Sequence, residues 1–145
     1  MRLKSFYPVI CCADARGAAE FWTTHFGFET TFADDSYVSL RRPGPPDLEL
    51  AFLRFDHQTI PAGHREPAAG VLLNLEVADV DAEWRRLVVD GWHEPILTLR
   101  SEEFGQRHFI LAAPGGVMVD VITEIPPQGE FVEKFTELAT APAGS

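Results

Sequence analysis

The run VLLNLEV, residues 71–77, alternates two surfaces: Leu73, Leu75 and Val77 make one apolar stripe, while Leu72, Asn74 and Glu76 share a half-polar one. Short runs of the same period recur as FYPVICCA, FETTF, SYVSLRR, DLELAFLRF, EPILTL, RHFILAA and VMVDVITEI. Two stretches change period. ARGAAEFWTTHF follows Asp14, a side chain suited to cap a helix start, and Gly27 stands after it as a stop. VDAEWRRLVVDG follows Asp79 in the same way. The order strand, helix, three strands is thus stated twice, an internal duplication visible in element order and caps. It predicts an α+β fold in one domain over residues 1–125, made of two βαβββ modules over about 4–54 and 70–125 with a linker over 55–69. The tail, 126–145, contains GEFVEKFTELATA, where Phe131, Phe135 and Leu138 fall at helical spacing. It reads as an amphipathic helix packed on the domain or on a partner subunit.

Alternation also assigns faces. Tyr7, Val9 and Cys11 oppose Pro8, Ile10 and Cys12, and Met118, Asp120 and Ile122 oppose Val117, Val119 and Val121. In PDLELAFLRF, Glu49 shares a face with Ala51 and Leu53. Strands curled together as mixed sheets, with helices outside, would place Tyr7, Glu49, Leu72, Asn74, Glu76, Met118 and Asp120 around one concave pocket. His108 is the one histidine on a strand and could face the same space.

Composition narrows the partners. A chain of 145 residues, 46% hydrophobic with 11 Phe and 3 Trp, can bury a core without disulfides or metals to hold it. Its two cysteines are adjacent, which suits a reducing compartment. The N-terminal apolar run is short and meets Asp14 at once, so neither a signal peptide nor a membrane span is expected, and the protein reads as cytoplasmic. A net charge of -10 repels nucleic acid and anionic lipid and favours cations in a cleft.

The paired modules, FWTTHFGFE after the first cap and a PGG turn before the last strand resemble the vicinal-oxygen-chelate superfamily, which includes glyoxalases, extradiol dioxygenases, and fosfomycin and bleomycin resistance proteins. Its metal-dependent glyoxalases take ligands, typically His, Glu, His, Glu, from the first and last strand of each module. Seven positions before the capping aspartates, the two His places fall on Tyr7 and Leu72, and the Glu places fall on Glu49 and Asp120. Both imidazoles are gone, so no metal and no cofactor is expected.

Within the superfamily, YPV, FW, FGFETTF, LRR, DLEL and DHQ resemble the bleomycin-binding branch in order and spacing. That resemblance implies a homodimer, with the N-terminal strand crossing to its partner at Pro8, and clefts that hold a glycopeptide drug by stacking and acidic groups. It places cleft aromatics at Phe32 and Tyr37, and it puts Asn74 where the branch has a tryptophan. The function implied is metal-independent sequestration of a cationic aromatic antibiotic or natural product. The alternative is a glyoxalase-like lyase or isomerase, or a dioxygenase-type enzyme, using Glu49 and Asp120 as a carboxylate pair for proton abstraction, with the Cys11 thiol as a third possibility.

Overall fold

The computed structural model describes residues 1–135, and the element order is the duplicated one. The first module runs β1 (Val9–Cys12), α1 (Ala15–His25), β2 (Glu29–Ala33), β3 (Tyr37–Arg42) and β4 (Leu48–Arg54). The second runs β5 (Val71–Glu76), α2 (Val80–Trp84), β6 (Pro95–Glu102), β7 (Gln106–Ala113) and β8 (Val117–Glu124). Each contributes a four-stranded mixed sheet, ordered β1-β4-β3-β2 and β5-β8-β7-β6. The predicted α+β class is the one observed, and among the described residues no helix is long and apolar enough to cross a membrane.

The described residues divide into two compact units, 1–72 with 113–118, and 73–112 with 119–135. In the first unit, the Asp14 carboxylate accepts from Gly17 N at 3.0 Å and starts α1, and Gly27, at φ 72°, follows its end. The helix lays Ala18, Phe21 and Trp22 on the sheet, where the alternate residues Val38, Leu40, Leu50 and Phe52 are buried. Ile10 and Cys12 are buried while Val9 is exposed, as the alternation of β1 predicts. The PGG turn also belongs to this unit. A side chain at Gly115 would meet Ala18 at 3.2 Å and Phe52 at 3.4 Å, and one at Gly116 would strike the Ala68 carbonyl at 2.4 Å.

In the second unit, Asp79 caps α2 by accepting from Ala82 N at 3.1 Å. Trp84 stands edge-on to Phe109, with ring centroids 5.2 Å apart, and Phe109, Leu111, Val119 and Val121 are buried. Two expectations are corrected here. VDAEWRRLVVDG is not one α-helix, because after Trp84 the residues Arg85–Val89 widen into a π-helical turn, closed by Asp90 N donating to Arg85 O. The widening spends five residues on one turn and buries Leu87. The tail begins as a 3-10 turn over Gly129–Lys134 rather than an α-helix; Leu138 and the rest of the predicted helix lie outside the described residues.

Candidate functional site

On the first unit's sheet, the face away from α1 is built by register. Tyr37 sits opposite Leu53, Ser39 opposite Ala51 and Arg41 opposite Glu49. A bulge in β2 between Thr30 and Phe32 interrupts the ladder there, and Thr31 bonds the Ser39 hydroxyl at 2.7 Å. Phe32, 52% exposed, packs against Tyr37 with centroids 6.0 Å apart. Burial pushes the Tyr37 phenol above its ordinary range, the nearby Tyr7 and Glu49 add to the rise, and its Ser39 hydrogen bond opposes it. Glu49 lies on the same sheet face, further along β4 from Leu53, the residue opposite Tyr37. Glu49 is exposed, and its cross-strand neighbour Arg41 bonds Asp47 at 2.7 Å instead. An open aromatic pair on a face that also carries an exposed carboxylate can stack a ring and attract a cation.

The same unit contains a cleft of about 450 Å³ between the start of α1, at Asp14 and Gly17, Pro67, and the Pro114–Gly116 turn. None of the residues nominated from the sequence lines it. Cys12 does, and burial holds its thiol above the ordinary range. The signal that could have found this cleft is PGG itself, two adjacent residues at φ 92° and 77° that form its tight turn.

On the second unit's sheet, Asn74 and Glu76 are exposed on β5, as expected of its half-polar face. Asp120 is not an open pocket wall. It is 4% exposed, and its Oδ1 lies 2.8 Å from Nδ1 of His108, which is itself 6% exposed. Burial pushes the Asp120 carboxyl up, the hydrogen bond and charge of His108 pull it down, and Glu102 raises it. Nε2 of His108 is buried without a hydrogen-bond partner, 3.7 Å from Glu102 Oε1. The sequence placed His108 and Asp120 among the candidates but did not pair them, and it missed Glu102. Met118, one pleat before Asp120 on β8, is half-buried and falls in the first unit.

The metal of the superfamily's enzymes does not fit the residues present. Leu72 offers no donor atom, and one of the two Asp120 oxygens is held by His108. Among the described residues, no three His, Cys, Asp or Glu side chains come together to hold an ion.

Two βαβββ modules with this strand order define a protein of the vicinal-oxygen-chelate type. The family described as Glyoxalase/Bleomycin resistance protein/Dioxygenase superfamily matches residues 5–121, and the chain belongs to it. Solved structures agree in fold. A glyoxalase/bleomycin resistance protein/dioxygenase from Nocardioides is 18% identical, with TM-score 0.69 over 90% of this chain and 89% of that one. The bleomycin-binding protein of Streptomyces verticillus, complexed with copper(II)-bleomycin, is 21% identical, with TM-score 0.52 over 90% and 99%. A lactoylglutathione lyase from Agrobacterium tumefaciens is 15% identical, with TM-score 0.64 over 85% and 96%. No curated protein matches the sequence.

Proposed function

We propose that this protein binds and sequesters a planar, cationic small molecule, an antibiotic or other natural product of the bleomycin kind, without a metal and without changing it chemically. The observation that carries the reading is the open Phe32–Tyr37 pair on a sheet face that also bears the exposed Glu49 carboxylate, in a chain of net charge -10. The rings supply a stacking surface, and each aromatic face attracts a cation by about 0.5–2 kcal/mol. Glu49 adds a charge-assisted hydrogen bond. The copper(II)-bleomycin bound by the Streptomyces verticillus protein supports the choice of guest.

The working state in this reading is a cytoplasmic homodimer. Ahead of β1, an arm carries Leu3 and Phe6, 69% and 87% exposed, with Pro8 as its pivot. Apolar side chains left in water next to an edge strand are suited to lie on a second copy.

Calorimetric titration of metal-free and copper-loaded bleomycin into chelator-treated protein tests the reading. Micromolar or tighter binding at one drug per subunit, with the drug recovered unchanged, is the expected result. No heat, together with turnover of a glyoxalase-type substrate, would replace sequestration by catalysis.

A further inference from the structure

His108 carries a buried ring nitrogen with no hydrogen-bond partner, which is rare in a folded protein and points to a partner from outside. Its geometry is well defined. Asp120 holds Nδ1 at 2.8 Å, which fixes the ring and leaves Nε2 as the free position. Glu102 Oε1 stands 3.7 Å from Nε2, too far for the two to bond, and Arg100 on the same strand donates to that carboxylate oxygen. Two carboxylates, Asp120 and Glu102, thus flank the ring, and Arg100 offsets one of them.

Two acceptors at this spacing can both be reached by one nitrogen that carries two or more hydrogens. A quaternary cation has the charge but no hydrogen to give. The surroundings are aromatic. Phe104, from the turn between β6 and β7, stands edge-on to His108 with centroids 6.2 Å apart and is 36% exposed. Phe131 packs on Phe104 at 6.1 Å, and Lys134 already holds an ammonium 5.1 Å over the Phe131 ring.

We propose that His108 Nε2 and Glu102 Oε1 form a receptor for a primary ammonium group of a small-molecule guest, reached when the Phe104 ring swings aside. The inference rests on the reading above only in taking the guest to be cationic. Asp120 is a positioning residue, keeping the Nε2 lone pair aimed at the donor.

The test follows the imidazole nitrogens of the 15N-labelled full chain by NMR, at about pH 8, above the ordinary imidazole range. The probes are benzylamine and benzyltrimethylammonium. Benzylamine is expected to shift the His108 Nε2 signal saturably and to bind at least tenfold more tightly than the quaternary probe. Glu102→Gln keeps side-chain volume and is expected to weaken benzylamine at least tenfold, while Asp120→Asn weakens it less. A His108 signal that does not move, equal affinity for the two probes, or a Glu102→Gln chain that binds like the parent overturns the proposal. A benzylamine response without bleomycin binding removes sequestration and leaves this receptor standing; bleomycin binding without any His108 response does the reverse.

Discussion

Nδ1 of His108 and Oδ1 of Asp120 meet at 2.8 Å across neighbouring strands, both side chains more than nine-tenths buried. Asp120→Ala is expected to leave the ring nitrogen without an acceptor in a dry place, costing about 1–3 kcal/mol. Asp120→Asn keeps an acceptor and should cost less. Urea unfolding of the three proteins measures both differences, and equal losses for Ala and Asn would mean that the bond contributes nothing.

The same carboxyl sets a pH dependence. Its folded pKa is raised above the ordinary 3.8, chiefly by burial, so the folded state favours the protonated form. Its contribution to stability is therefore fully present below the unfolded value and is lost as pH rises through the folded one. The stability of the parent minus that of Asp120→Asn should fall as pH climbs from about 3 through the acid range. A difference that rises instead would show a carboxylate stabilised by His108 rather than penalised by burial.

Helix α1 depends on one carboxylate. Removing it as Asp14→Ala frees Gly17 N and is expected to cost about 0.5–2 kcal/mol, lowering the midpoint of thermal unfolding. Asp14→Ser, which still accepts, should recover most of the loss.

The turn before β8 predicts a contrast between glycines. Gly116→Ala meets both a φ of 77° and the Ala68 carbonyl at 2.4 Å, whereas Gly63→Ala meets a φ of 90° and open space. Both are strained, but only the first must move backbone, so its loss of stability should be larger by about 1 kcal/mol or more. Thermal scans of the two variants read this directly.

For the ligand, Phe32→Ala with Tyr37→Ala is the informative pair. Phe32 is half exposed, so the fold should survive while bleomycin affinity falls about tenfold or more. Circular dichroism alongside the titration separates lost binding from lost structure.

Much of this architecture was legible in advance because it rests on short-range chemistry. Asp14 and Asp79 cap where their spacing said they would, and the pleat of β1, β4 and β8 places Ile10, Leu50 and Val119 inside. What escaped depends on register. His108 and Asp120 share a face by alternation, but which residue stands beside which across β7 and β8 is set by the turn between them. Glu102 was invisible for the same reason, since β6 runs past the EPILTL pattern into residues whose exposure does not alternate. The π turn after Trp84 escaped because Val80, Trp84, Leu87 and Val88 also satisfy the α-helical spacing. Only packing decides that Leu87 is the residue to bury.

One consequence of the first sheet concerns synthesis. Strand β1 pairs in parallel with β4, Val9 beside Ala51, so the first strand made waits for the last one of its module. A nascent chain that has emerged only through β3 has Phe21 and Trp22 exposed on a helix with half its floor missing. The pairing of β1 and the completion of the floor under α1 therefore both wait for Leu50 and Phe52, a contact between chain segments far apart in sequence that slows closure of the module.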